Sequence, residues 1–400
     1  MSTLILTNVR PWGGDPVDLV IDGDVIADSA PAGARPAGSG PDVPRSIDGA
    51  GLLALPGFVN AHAHLDKSWW GLPWVPYRGE PTGEGRIAHE RAERDALGIP
   101  SLSSTIAVLR EFLRHGTTAV RSHVDVDLGV GLRGIDTVRR AVAALDGAIQ
   151  VEIVAFPQDG VVRRPGVLRL LDEAAAAGAR LIGGIDPAGI DRDPVGQLDG
   201  IFDIAERRGV GLDIHVHDGG ELGAFQYELI IERTLATGLQ GAVTISHGFA
   251  LGQVSPARQA QLLDRLGEAG IGWATVAPPG TAALPWRGMR ERAIPIGLGT
   301  DGVRDLWSPY GDGDMLRIAL GFARLHGLRT DADLTEAVRL AGCHAGGFVH
   351  RERHDLVPGA RADIVLLDAE NVPDALVRVP DREIVIAGGR LVVADGDLVI

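Results

Sequence analysis

The chain of 400 residues contains one cysteine, Cys343, and one lysine, Lys67. A single cysteine excludes an internal disulfide framework and is typical of a protein in a reducing compartment. No run of about eighteen apolar residues occurs, so nothing in the sequence predicts a membrane span. The N-terminus has no charged segment followed by a long apolar core, so no secretory signal is expected. We therefore expect a cytoplasmic protein with no membrane partner.

Positive charge is also scarce. Asp and Glu number 53 against 38 Lys and Arg, and the formal net charge is −15. This charge argues against nucleic acid or an anionic membrane as a partner, and solubility explains it. With one lysine, the other 38 − 1 = 37 basic residues are arginine. We interpret Lys67 as a lysine that arginine could not replace and therefore as a candidate site residue.

Strand-like and helix-like segments alternate through most of the chain, and 45% of the residues are hydrophobic. Apolar, β-rich runs predict eight strands, at Leu52–Asn60, Thr117–His123, Ile149–Phe156, Arg180–Ile185, Val210–Val216, Ala242–His247, Ile271–Val276 and Ile296–Thr300. Amphipathic segments between them predict helices at Ser104–His115, Gly166–Ala177, Val195–Arg208, Tyr227–Thr237 and Pro256–Ala269. Eight β-then-α units indicate an α/β fold, a closed (β/α)8 TIM barrel over residues 57–345.

The two ends of the chain have a different pattern. Residues 1–56 and 346–400 contain short alternating strands with glycine turns. Each end is too small to bury a core alone, so we expect the two to pair into one small β-sandwich domain. The charged run Glu90–Asp95 predicts a solvated helix face.

Histidines and an aspartate occur where predicted barrel strands end. His62 and His64 are separated by one residue, so both side chains point to the same face of a strand. His215, His247 and Asp301 end three further strands, and the ends of barrel strands meet at one rim. Imidazole and carboxylate ligands suit Zn²⁺ or Fe²⁺ with an open position for water. The sequence therefore predicts a metal site at this rim.

Several motifs resemble those of the amidohydrolase superfamily, and within it the cytosine deaminase branch. The superfamily patterns are Pro-Gly-Phe-Val-Asn-Ala-His-Ala-His at 56–64 and Gly-Ala-Arg-Ala-Asp-Ile-Val-Leu-Leu at 359–367. Patterns closer to the deaminases are Arg121–Val126, Val154–Gln158, Thr244–His247 and Asp305–Trp307. The resemblance covers nearly the whole chain.

The resemblance implies that one divalent ion, Zn²⁺ or Fe²⁺, is held by four ligands: His62, His64, His215 and Asp301. Two-metal branches of the superfamily carry a lysine on strand four, and the segment 180–186 has none. The resemblance also implies that Asp301 takes the proton of the attacking water. His247 hydrogen-bonds the developing tetrahedral centre, and Asp218 is the acid that protonates the ring.

Substrate contacts are expected from Gln158, Lys67, Trp70 and Trp307, the tryptophans walling a flat ring. Two positions depart from the deaminase pattern. Asp218 stands where the deaminases carry Glu, and Gly302 stands where they carry a second Asp that helps to read the amino-pyrimidine. These departures put cytosine itself in doubt and leave room for another ring.

The primary hypothesis is a metal-dependent deaminase that releases ammonia from an aminated nitrogen heterocycle, such as a cytosine-like pyrimidine or a triazine. One alternative changes the leaving group to an alkylamine from an N-alkylated triazine, and another opens a cyclic amide. A non-enzymatic alternative is a barrel scaffold without catalysis, which would predict a broken ligand set. We expect the protein to act on a small molecule and to form a homo-oligomer.

Overall fold

The computed structural model describes residues 3–33 and 45–400, which form two sheets and eleven α-helices. The strands are β1 (Thr3–Pro11), β2 (Val17–Asp22), β3 (Val25–Pro31), β4 (Arg45–Asp48), β5 (Leu53–Pro56), β6 (Phe58–His64), β7 (Thr117–Asp125), β8 (Gln150–Phe156), β9 (Leu181–Ile185), β10 (Gly211–Val216), β11 (Val243–His247), β12 (Gly272–Thr275), β13 (Ile296–Leu298), β14 (Asp301–Gly302), β15 (Ile364–Leu367), β16 (Arg382–Ala387), β17 (Arg390–Ala394) and β18 (Asp397–Leu398). The helices are α1 (Gly83–Glu93), α2 (Leu102–Arg114), α3 (Arg133–Ala143), α4 (Val167–Ala176), α5 (Pro194–Arg208), α6 (Gly220–Thr237), α7 (Pro256–Glu268), α8 (Trp286–Glu291), α9 (Met315–Leu325), α10 (Asp331–Leu340) and α11 (Val372–Arg378).

The central sheet is parallel and closes on itself. Its order is β13-β12-β11-β10-β9-β8-β7-β6-β14, and β14 follows β13 directly in the chain. Asp301 of β14 pairs with Ala63 of β6, which returns the sheet to its first strand. Strands β7 and β9 are buried at every residue, as expected for parallel strands covered on both faces. The predicted (β/α)8 barrel is confirmed.

Both ends of the chain contribute to the second sheet. Its order is β18-β17-β16-β15-β5-β1-β2-β3, with β4 beside β1. The prediction that the two termini combine is confirmed, because β5 joins β1 of the N-terminal segment to β15 of the C-terminal segment in one mixed sheet. The predicted β-sandwich packing of this domain stays a prediction. The exact domain limits, 1–56 with 346–400 and 57–345, stay a prediction.

The segment Leu52–Asn60, predicted as one strand, is divided between the two sheets. β5 pairs with β15 of the terminal sheet, whereas β6 pairs with β7 of the barrel. The chain crosses at Gly57, where an added Cβ would lie 2.4 Å from Thr118 Oγ1. Only glycine permits this close approach of the backbone, so the continuous apolar run concealed a break between sheets.

A long insertion between β6 and α2 carries α1 across the mouth of the barrel. The prediction of a solvated face for Glu90–Asp95 is wrong in part, because Glu90 is 3% and Arg94 is 6% exposed. Arg94 pairs with the buried Asp127, and Glu90 approaches Lys67 at 3.4 Å. Buried charges persist where they are paired, and an alternating charge pattern does not reveal such partners.

Within residues 3–33 and 45–400, no helix combines the length and the apolar character needed to cross a bilayer.

Candidate active site

Five side chains from four barrel strands converge at the carboxyl end of the barrel. Asp301 Oδ1 lies 3.7 Å from His62 Nε2 and 3.3 Å from His64 Nε2. The His62 ring centroid lies 4.7 Å from those of His215 and His247. Among the described residues, three sets of potential ligands share His62, and the ligand atoms of each set lie within 4.8 Å of one another. The sets are His62, His64 and Asp301; His62, His215 and His247; and His62, His123 and Asp213.

These residues fit a divalent metal ion. In the described part of the chain, buried ring nitrogens without a hydrogen-bond partner include His62 Nε2, His64 Nδ1, both nitrogens of His215 and His247 Nε2. Such atoms are costly unless a ligand satisfies them. Burial lowers the pKa of His64 to about 4 and that of His215 well below its usual value, so both rings are neutral at pH 7. Neutral imidazoles and a carboxylate are the donors that zinc and ferrous iron accept.

A buried polar network orients His62. Its Nδ1 lies 2.9 Å from Ser246 Oγ, and the Ser246 hydroxyl donates to Asp213 Oδ1 at 2.5 Å. Arg121 Nη1 donates to the other oxygen of Asp213 at 2.8 Å. Because this network engages Nδ1, the lone pair of Nε2 is left for the side facing Asp301.

His123 is a fifth buried imidazole in the cluster. Its ring centroid lies 4.2 Å from that of His62, and its Nε2 lies 3.4 Å from Asp213 Oδ1. Burial and the neighbouring His62 lower the pKa of His123 well below its usual value. His123 is thus placed beside the polar network that holds His62.

A cavity of about 670 Å³ opens above the cluster. Its polar lining includes Lys67, which follows β6, and Gln158, which follows β8. Its apolar lining includes Val276, Pro278 and Pro279, which follow β12. β8 is the third and β12 the seventh strand of the closed barrel, so these two linings face each other across its mouth.

Not every predicted substrate residue lies at this cavity. Lys67, Gln158 and Trp307 line it, as do Arg86 and Tyr310, which the sequence analysis did not single out. Trp70 is not among the lining residues. Its ring packs against Arg304, with the guanidinium carbon 4.2 Å from the ring centroid.

Just after β10, His217 rather than Asp218 lines the cavity. Asp218 Oδ2 accepts hydrogen bonds from Gly189 N at 2.8 Å and Gln226 Nε2 at 2.9 Å. His217 Nδ1 lies 2.7 Å from Asp186 Oδ2, and its ring centroid is 4.1 Å from that of His247. Burial lowers the pKa of His217, but the Asp186 carboxylate outweighs burial and raises it overall. The two-residue spacing from His215 was the sequence signal for this placement.

Asp305 accounts for the glycine at position 302. A Cβ added to Gly302 would lie 1.7 Å from Asp305 Oδ2, and both residues line the cavity. Asp305 Oδ1 accepts hydrogen bonds from Trp307 N at 2.8 Å and Ser308 N at 2.7 Å. Burial raises the pKa of Asp305 to about 7. The carboxylate of Asp305 thus occupies the space that a side chain at position 302 would need.

Comparisons with known proteins agree with this site and fold. A profile of the Amidohydrolase family matches residues 102–400. The crystal structure of N-isopropylammelide isopropylaminohydrolase from Burkholderia multivorans is 41% identical, with a TM-score of 0.94 and 100% of both chains covered. The N-isopropylammelide isopropyl amidohydrolase of Pseudomonas sp. strain ADP is 28% identical over 365 residues, or 87% of this chain and 88% of the relative.

The fold is also that of 5-methylcytosine deaminase from Klebsiella pneumoniae, at 24% identity and a TM-score of 0.81, with 98% and 97% of the two chains covered. Because the family profile covers most of the chain, including β10, β11 and β14 of the cluster, the protein belongs to the amidohydrolase family and is a hydrolase acting on carbon–nitrogen bonds.

Proposed function

We propose that the protein hydrolyses the bond between a nitrogen heterocycle and an exocyclic alkylamine, with an N-alkylamino triazine as the substrate class. The main observation behind the proposal is that one side of the cavity is polar and the opposite side is apolar. Its polar side at Lys67 and Gln158 suits a polar ring, and its apolar side at Val276, Pro278 and Pro279 suits an alkyl group. The relatives named for N-isopropylammelide support the same choice.

We propose one ion, Zn²⁺ or Fe²⁺, held by His62, His64, His215 and Asp301. When bound, such an ion would lower the pKa of a water molecule towards about 7 and so would supply a nucleophile at neutral pH. The Asp301 carboxylate accepts the proton of the attacking water, and His247 hydrogen-bonds the oxygen that joins the ring carbon.

The carbon–nitrogen bond then breaks, and the departing nitrogen takes the proton that Asp301 accepted from the water, so that the amine leaves neutral. Asp218 was predicted to supply a proton, but His217, just after β10, lines the cavity and Asp218 does not. We therefore propose His217, held by Asp186, as the contact to the departing group or ring.

Release of ammonia from an aminated ring is the second candidate. The cavity of about 670 Å³ also admits a ring without an alkyl group. Ring opening of a cyclic amide is a weaker candidate, because enzymes of that kind usually carry two metals. A cytoplasmic location and the absence of nucleic-acid or membrane partners stay proposals, supported by the net charge and the single cysteine. Assembly into a homo-oligomer also stays a proposal, because barrels of this kind commonly associate.

The test is amine release by metal-reconstituted protein, followed by mass spectrometry on N-isopropylamino triazines, aminotriazines and cytosine. We expect isopropylamine as the main product. The Asp301→Asn variant should lose turnover by about 1000-fold or more, whereas Asp397→Asn, a change of an exposed aspartate, should not. Ammonia from unsubstituted rings alone would favour the second candidate, and full activity of Asp301→Asn would contradict the assigned role.

A further inference from the structure

The lysine of the chain lies in a buried charge cluster at the edge of the cavity. Lys67 is 3% exposed, and its Nζ lies 2.9 Å from Asp125 Oδ1 and 3.4 Å from Glu90 Oε1. Gln158 Oε1 accepts a hydrogen bond from the same ammonium group. Glu90 is held in turn by a hydrogen bond from Trp307 Nε1.

The chemistry of an ammonium group fixes the direction of these bonds. Lys67 has three N–H donors and no acceptor, and three partners surround it. Burial lowers the pKa of Lys67, but Asp125 and Glu90 outweigh burial and raise it, so the group stays charged. The atom of the Gln158 amide that faces Lys67 must therefore be the oxygen, and the reversed amide would place N–H against N–H.

Because Oε1 of Gln158 faces Lys67, the other end of the amide is the Nε2 group, which is a hydrogen-bond donor. Its Nε2 has no hydrogen-bond partner among the described residues, and Gln158 lines the cavity. Arg86, also at the cavity, likewise offers donors alone. This side of the cavity therefore presents N–H groups, which pair with the exocyclic oxygens of an oxo ring and not with the exocyclic amino groups of an amino ring.

We propose that Lys67 is a positioning residue that fixes Gln158 as a hydrogen-bond donor, so that the site selects rings bearing oxo groups over rings bearing amino groups. The inference rests on the proposed function and names the substrate class within it. An arginine at position 67 would be longer and planar, and it would not fit the compact contact with Asp125 and Gln158.

A purely structural alternative is that Lys67 only neutralises the negative charge of the buried carboxylates Asp125 and Glu90. In that case the orientation of Gln158 would not influence which ring is cleaved. Asp305 also lines the cavity, but it follows β14 and offers a carboxyl group rather than N–H donors.

The experiment compares two triazines with the same isopropylamino group. One carries two oxo groups, and in the other both oxo groups are replaced by amino groups. For the wild-type metalloenzyme we expect kcat/KM to favour the oxo compound by about 100-fold or more, since a site built for one hydrogen-bond pattern rejects the reverse pattern. Equal cleavage of the two compounds, or preference for the amino compound, would overturn the proposal.

Two variants test the cause of the preference. Gln158→Glu replaces the donor end by an acceptor and should reduce the oxo-to-amino ratio by about 100-fold. The matched change Gln240→Glu, at an exposed glutamine, should leave the ratio unchanged. Lys67→Met should reduce the ratio while the bound metal content stays the same. If Lys67→Met does not fold, Gln158→Glu alone decides, and an unchanged ratio in that variant contradicts the proposal.

A binding measurement separates this proposal from the proposed function. Calorimetry with trioxotriazine and triaminotriazine, which carry no alkylamine, reports ring recognition without turnover. Tighter binding of the trioxo ring by the wild type, lost in Gln158→Glu, would support the positioning of Gln158 even if no isopropylamine were released. Amine release without any preference between the rings would support the proposed reaction and reject the role of Lys67.

Discussion

The two neighbouring polar residues at the end of β10 have different environments. Asp218 is engaged by Gly189 and Gln226, whereas His217 lines the cavity. Contact with the reacting group requires a side chain within hydrogen-bond reach, so geometry favours His217.

We expect His217→Gln to lower kcat/KM by about 100-fold or more and Asp218→Asn by less than about 10-fold. Steady-state kinetics of amine release on the metal-loaded variants, at matched metal content, measures both. A larger loss in Asp218→Asn would instead support the role that the family resemblance implies for Asp218.

Gly302 is a second residue whose role depends on its neighbour. Adding Cβ would bring it to 1.7 Å from Asp305 Oδ2 and 2.5 Å from Asp305 Cγ. Moving Asp305 would break the hydrogen bonds from Trp307 and Ser308.

We expect Gly302→Ala to lower the free energy of unfolding by about 1–3 kcal/mol, the usual cost of overpacking. Urea denaturation provides the measurement. The control is Gly321→Ala in α9, where an added Cβ meets no heavy atom within 4 Å. That variant should be unchanged or gain about 1 kcal/mol from helix propensity. Equal stability of the two variants would show that Asp305 moves aside at no cost.

At the scale of elements, the register of neighbouring strands assembles the support of the metal ligands. His215 of β10 pairs with Ser246 of β11, and Asp213 pairs with Thr244. Strand β6 brings His62 to the same polar network. A shift of one residue in the pairing of β10 and β11 would turn the Ser246 hydroxyl to the other face of the sheet, so the network depends on register.

Ser246→Ala should weaken metal affinity by about 10–100-fold, the usual effect of losing a group that orients a ligand. Competition with a chromophoric chelator measures the affinity directly. Ser122→Ala on β7 is the matched control, because it removes an equally buried hydroxyl that caps Leu65 N at 3.1 Å. If both variants lost the same metal affinity, the loss would reflect destabilisation of the barrel as a whole and not the missing support of His62.

At the scale of the whole molecule, the clustered imidazoles make the metal-free protein sensitive to acid. Burial lowers the pKa of His64 to about 4 and the pKa values of His123, His215 and His247 well below the ordinary value. Between pH 6.5 and 4 the unfolded chain binds protons that the folded chain does not. Stability therefore decreases as the pH falls through this range.

Lowering the pH from 7 to 5 should cost the metal-free protein about 2 kcal/mol through His64 alone. Urea midpoints of chelator-treated protein at the two pH values measure the change, and His64→Asn should show a smaller one. A midpoint that is constant or rises on acidification would contradict burial of neutral imidazoles.

The fold and the candidate ligands were accessible from sequence because they depend on local patterns. Periodicity predicts parallel strands and covering helices, and a barrel with that order brings strand ends such as His62, His215 and Asp301 to one rim. The two-residue spacing of His62 and His64 likewise predicts that both side chains point to the same face of one strand.

The polar surroundings of the cavity were decided by the tertiary structure. Helix α1 brings Glu90 to Lys67 through an insertion whose charge pattern predicts a solvated face. His247 and Asp301 adopt left-handed backbone, with φ of 67° and 60°, which no strand pattern predicts. Lys67 determines the orientation of Gln158 through a contact between residues 91 positions apart. Such contacts depend on the packing of loops against one another, and local sequence preferences do not encode that packing.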